Sequence, residues 1–158
     1  MPVSGLLHVA IKTNDLDATV RFYRDVIGLV QAKRPDFGYP GAWLAVPGGE
    51  AIIHIYAGGP ALGREGRAPE GTAAIDHVSI TASGYHDYIT RFRALGLDWR
   101  EFAVPGTSLW QLFLYDPSGV QLELTFDGSR ESGPPPDMSE GRRYIAGSSF
   151  FRPRGAGA

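Results

Sequence analysis

The sequence predicts an α+β fold built from two copies of one unit, a strand, a helix and three strands. Together the copies form an eight-stranded mixed, mostly antiparallel cup with its helices on the outside. Three observations carry this. The stretch Ala74-Ile75-Asp76-His77-Val78-Ser79-Ile80 has a near copy, Leu6-Leu7-His8-Val9-Ala10-Ile11, with His77 69 residues after His8. The same offset maps Val20 onto Ile89, Tyr23 onto Phe92, Leu44 onto Phe113 and His54 onto Glu123, and self-similarity at a fixed offset marks a repeated unit. Within each copy the apolar spacing changes from alternation to a helical period and back.

In the first copy, residues 6–12 alternate, with His8, Ala10 and Lys12 on one side and Leu7, Val9 and Ile11 on the other. Asn14 or Asp15 can cap the helix that follows. Leu16, Val20, Tyr23 and Ile27 form its apolar stripe, and Gly28 ends it as a left-handed residue would. Residues 42–46 and 51–56 read as strands joined by the turn Pro47-Gly48-Gly49. Ile52, His54 and Tyr56 share one face of the second. Five glycines and two prolines in residues 57–74 read as a linker.

The second copy starts at Ile75. His77, Ser79 and Thr81 face one way, and Val78 and Ile80 the other. Ser83 can cap a helix whose stripe is Tyr85, Ile89, Phe92 and Leu95, stopped by Gly96. Residues 99–104 and 110–115 are strands, and Asp116-Pro117-Ser118-Gly119 is a turn. The last strand, residues 120–126, sets Gln121, Glu123 and Thr125 against Leu122, Leu124 and Phe126. The expected divisions are a first module at 1–57, a linker at 58–74, a second module at 75–127 and a tail at 128–158. The tail holds six glycines and four prolines and shows no period, so it is read as partly irregular. Its Tyr144, Ile145, Phe150 and Phe151 suit packing on the body or on a partner subunit. His86, near the start of the second helix, reads as a surface residue.

A chain of 158 residues is long enough for a real core. Its net charge of −2 favours neither nucleic acid nor an anionic membrane surface. With no cysteine, disulfides, thiolate metal sites and cysteine nucleophiles are excluded. No basic-then-apolar signal segment opens the chain and no run approaches transmembrane length, so a soluble cytoplasmic protein is the default expectation.

Four residues then stand out. His8, His54, His77 and Glu123 occupy corresponding places in the two copies, each on the polar side of its strand. Imidazole and carboxylate donors suit one divalent ion of iron, manganese, nickel or zinc. Two histidines and a carboxylate resemble the facial set that leaves open positions for substrate. Glu123 and His54 are also the candidates for moving a proton, and Tyr56, Trp110, Gln121 and Thr125 for lining the substrate cavity.

These residues resemble the vicinal oxygen chelate superfamily, the glyoxalase, bleomycin-resistance and dioxygenase group. His8-Val9-Ala10-Ile11, Thr19, Phe22-Tyr23 and Gly28-Leu29 look like its opening signature. Leu114-Tyr115-Asp116-Pro117-Ser118-Gly119-Val120-Gln121-Leu122-Glu123 looks like its closing one. The resemblance implies paired βαβββ modules, a metal at His8, His54, His77 and Glu123, and a homodimer. It implies a metal-dependent enzyme acting on a small substrate with vicinal oxygens, a glyoxalase-type lyase or isomerase being favoured. His54 departs from the carboxylate or glutamine usual in glyoxalase I. The alternatives are an extradiol ring-cleaving dioxygenase and a metal-free drug- or metabolite-binding protein. For the dioxygenase, Phe113 stands where a tyrosine is usual, and Trp110 in a region that usually holds a histidine.

Overall fold

A computed structural model describes residues 5–152. The expectations for residues 1–4 of the first module and 153–158 of the tail lie outside the described residues. The chain divides into two compact units, Met1–Glu70 and Gly71–Ala158. Each is a βαβββ module.

The first unit holds β1 (Val9–Lys12), α1 (Leu16–Arg21), a π-helical continuation (Phe22–Ile27), β2 (Val30–Ala32), β3 (Gly41–Ala45) and β4 (Ala51–Tyr56). Its sheet runs β1-β4-β3-β2, with β1 parallel to β4 and the other pairs antiparallel. Asp15, in extended conformation, caps α1 by accepting from the Ala18 amide at 2.9 Å. Gly28 closes the helix at φ 91°, where a side chain would be strained, and donates to the Tyr23 carbonyl. The buried face differs from the predicted stripe. Ala18, Thr19, Phe22, Tyr23, Val26 and Ile27 are buried, whereas Leu16 and Val20 are only half-buried. The reason is the widening at Phe22, which lengthens each turn beyond the α-helical period and brings residues four apart onto one line. β2 is an edge strand to which alternation assigned no stretch.

The second unit holds β5 (Val78–Thr81), α2 (Tyr85–Ala94), β6 (Arg100–Ala103), β7 (Leu109–Tyr115) and β8 (Gln121–Asp127) in the order β5-β8-β7-β6, with β5 parallel to β8. Tyr85, Phe92, Leu112, Leu122, Leu124 and Phe126 are fully buried. Each such side chain contributes roughly 1.5–3 kcal/mol on burial. Asp116 builds the β7–β8 turn by accepting from the Ser118 and Val120 amides at 2.8 and 2.9 Å.

Ser83 does not cap α2. Gly84 holds the cap position at φ 84°, and the amides of Gly84 and Tyr85 donate to the Glu131 carboxylate at 3.0 and 2.8 Å. The cap therefore comes from far along the chain, and its negative charge complements the helix N-terminus. His86 is half-buried, not free on the surface, because its Nε2 meets the Pro134 carbonyl at 2.9 Å. Further along, Tyr144 stacks on Phe113 at 3.6 Å and 6°, and Phe150 and Phe151 pack on Tyr115. Glu101 ties this segment to the sheet. Its carboxylate accepts from the Tyr85 hydroxyl at 2.8 Å, the Asp137 amide at 2.9 Å and the Trp99 indole at 3.1 Å. Burial, then the hydrogen bond to Glu101, pushes the Tyr85 pKa far up, so it remains a donor.

Candidate metal centre

The two modules place their ligand-type residues in the same register. β1 runs parallel to β4 with Ala10 opposite His54; β5 runs parallel to β8 with Ser79 opposite Glu123. Ala10 and Ser79 lie two residues after His8 and His77, so each histidine stands on the same strand side as its partner. His8 and His77 sit one residue before β1 and β5 begin.

In the first unit the His8 and His54 rings stack at 3.8 Å and 15°, and Trp43 covers the far side of His54 at 4.3 Å. Burial is the main cause holding the His54 pKa below its usual 6.5, followed by the nearby His8 and Arg34 charges, so its imidazole is neutral at pH 7. His8 Nδ1 is buried with no hydrogen-bond partner. An orphaned ring nitrogen beside a neutral imidazole fits metal ligation.

In the second unit His77 Nε2 lies 3.4 Å from Glu123 Oε2, and His77 Nδ1 lies 2.7 Å from Asp76 Oδ1. A carboxylate on the second ring nitrogen fixes tautomer and orientation, the support that ligating histidines usually have. Glu123 is 7% exposed, and its Oε1 accepts from the Ser79 and Thr125 hydroxyls at 2.6 and 2.7 Å. Those bonds leave Oε2 on the His77 side. The hydrogen bond from His77 also holds the Asp76 carboxyl below its ordinary range.

Thus the structure brings His8 to His54 and His77 to Glu123. Among the described residues no group of three or more such side chains is gathered to hold an ion. Imidazole nitrogens, one of them unpartnered on His8, and a carboxylate are nevertheless donors whose chemistry suits a divalent ion.

The cavity candidates separate. Tyr56 lies on the His54 side of β4 and packs edge-on against Tyr39 at 5.6 Å. Thr125 stands beside Glu123. Gln121 is buried, accepting from the Tyr115 hydroxyl at 2.7 Å and donating to that of Tyr144 at 3.0 Å. Trp110 pairs with Phe126, on the opposite side of β7 from Phe113 and Glu123, and packs against Tyr85 of α2. It does not share the Glu123 face. Sequence reasoning did not single out Trp43 or Asp76, and it gives Tyr144 only a packing role. Trp43 was legible by alternation, since residues 43 and 45 fall opposite Leu44.

Known proteins resemble this chain in sequence and in fold. A Glyoxalase/Bleomycin resistance protein/Dioxygenase superfamily model matches residues 5–155. The chain is 29% identical over 136 residues to a lactoylglutathione lyase of Haemophilus influenzae, covering 81% of this chain and 96% of that one. It is 26% identical over 129 residues to glyoxylase I 4 of Arabidopsis thaliana, covering 77% and 70%. Among solved structures, the fosfomycin resistance protein FosX from Listeria monocytogenes superposes with a TM-score of 0.59 at 20% identity, covering 79% and 94% of the two chains. A lactoylglutathione lyase from Agrobacterium tumefaciens gives 0.58 at 22% identity, covering 82% and 98%. At such identities these structures speak for the fold, and the family match spans nearly the whole chain. By that match and its paired modules, the chain belongs to the Glyoxalase/Bleomycin resistance protein/Dioxygenase superfamily.

Proposed function

We propose that the chain is a metal-dependent lyase or isomerase of the glyoxalase type, acting on a small substrate with vicinal oxygens. The observation that carries this reading is the equivalence of His8 with His54 and His77 with Glu123 across the two parallel strand pairs. The superfamily is typically metal-dependent, and relatives named as lactoylglutathione lyases support the reaction class. His8, His77 and Glu123 hold one divalent ion in this reading, with His54 a fourth ligand or a nearby base. Such an ion, when bound, polarises the substrate oxygens and stabilises the negative charge that develops on them.

The remaining work falls to this chain's own groups. A lyase or isomerase must move a proton, and two residues are built for it. Glu123 is held on Oε1 by Ser79 and Thr125, leaving Oε2 to accept. His54 is neutral at pH 7 and held in plane by the rings on both its faces. Tyr56 and Trp43 flank it with apolar surface.

His54→Ala separates its two roles. Turnover of α-hydroxythiol adducts is expected to fall at least ~100-fold, the lower end of what a positioned acid or base contributes. Loss of metal from the variant makes His54 a ligand; full metal with lost turnover makes it the base. Unchanged turnover removes it from the site. We also propose a homodimer, which superfamily members commonly form. Light scattering is expected to give the mass of two chains, and a monomer at high concentration contradicts it.

A further inference from the structure

Within the first unit, the Arg34 guanidinium has buried donors that meet no acceptor. Arg34 lies two residues past Ala32, the residue of β2 that pairs with Trp43, and so continues the strand side that carries Trp43 and His54. Its Nε and Nη2 are buried and have no hydrogen-bond partner. Its Nη1 makes only a 3.4 Å contact to the Pro35 carbonyl. No carboxylate among the described residues forms an ion pair with it.

The guanidinium is nonetheless held in place. Its Cζ lies 4.7 Å from the centre of the Phe37 ring and 4.8 Å from that of Tyr39. It also rests against Gly41, where an added Cβ would come to 3.2 Å from both Cζ and Nε and would collide with the Ile55 carbonyl. The lack of a side chain at Gly41 leaves room for the guanidinium there. Ring contacts engage the face of the cation and leave its in-plane N–H donors unused. A guanidinium cannot shed its charge to escape this, and buried donors without acceptors are the costly case.

Nε and Nη2 share one edge of the guanidinium. That edge presents two parallel N–H bonds, the pattern that matches two oxygens of a carboxylate, phosphate or phosphonate. Beside it runs a wall of rings: Phe37 against Tyr39 at 5.9 Å, Phe37 near Trp43 at 6.2 Å, and Trp43 on His54. Phe37 is 48% exposed, so the ring over the cation lies at the solvent boundary.

We propose that Arg34 anchors an oxyanion subsite in the first unit. It takes the carboxylate, phosphate or phosphonate of a ligand whose flat apolar body lies along Phe37, Tyr39 and Trp43. The proposal goes beyond the metal reading and does not depend on it, since every residue it uses lies between β2 and the end of β3.

The test is calorimetric titration of the full chain with phenylphosphonate and with benzoate, in EDTA so that no metal takes part. Wild-type protein is expected to bind at least one of them saturably at one per chain, with neutral benzamide at least ~10-fold weaker. R34M removes the fork, and R34K keeps a charge without the two-donor edge. Each is expected to weaken the anion at least ~10-fold, the loss that follows removal of a charge-assisted hydrogen bond. Thermal melting of R34M should be unchanged or raised, because an unpaired buried charge is gone. Failure of wild type to bind either anion, or binding by R34M within ~2-fold of wild type, overturns the proposal. Should R34M not fold, the Arg34 Nε–H signal of wild-type protein decides. Its movement on adding phenylphosphonate supports the subsite, and its indifference overturns it.

Discussion

Replacing His77 by alanine is expected to abolish retention of a divalent ion. His77 faces Glu123 through Nε2 at 3.4 Å and is steadied through Nδ1 by Asp76 at 2.7 Å. Removing a residue that merely supports a ligand costs about 10–100-fold in metal affinity, and removing a ligand must exceed that. The fold should survive the change. Glu123 keeps its hydroxyl donors Ser79 and Thr125, and His77 is half-buried and contributes little to the core. The measurement is metal content after desalting, beside a circular dichroism melt. A folded variant that holds as much metal as wild type removes His77 from the ligand set.

Replacing Glu101 by alanine is expected to destabilise the second unit by about 3 kcal/mol or more. Three donors converge on this carboxylate: the Tyr85 hydroxyl, the Trp99 indole and the Asp137 amide. Glu101 is 4% exposed, so water does not readily replace it. Each buried donor left without an acceptor costs roughly 1–3 kcal/mol. The change also loosens the segment that carries Tyr144 over Phe113, since the amide of Tyr144 donates to the Glu101 carbonyl at 2.9 Å and Asp137 starts that approach. Urea unfolding followed by tryptophan fluorescence reads the loss, with Trp99 in the network as reporter. A shift below about 1 kcal/mol means that the three donors find other partners.

The repeat made much of this legible. One offset pairs both helices, six of the eight strands and the four ligand-type residues, because each module repeats the same alternation of buried and polar side chains; residues 99–104 read as a strand without a counterpart. What it missed had no period to read. β2 is three residues long with both faces largely open, so no apolar side marks it. The widening of the first helix is a change in hydrogen-bond register, which apolar spacing of three and four residues resembles too closely to reveal. The segment after β8 is held by long-range bonds at Glu131, Asp137 and Tyr144, and such contacts leave no local pattern. Arg34 and Phe37 lie in a connection, where only the fold shows which side they face. Trp110 is a different case. Alternation along β7 already puts it with Leu112 and Leu114, away from Phe113 and hence from Glu123.

The most direct test of the central claim is metal loading of the wild-type protein. The chain is purified without chelator and supplied in turn with iron, manganese, nickel and zinc, and bound metal is counted against protein after desalting. One ion per chain for at least one of the four is the predicted result, with that stoichiometry lost in His77→Ala. Wild-type protein that retains none of them contradicts the metalloenzyme reading and leaves a metal-free binding protein of the same superfamily in its place.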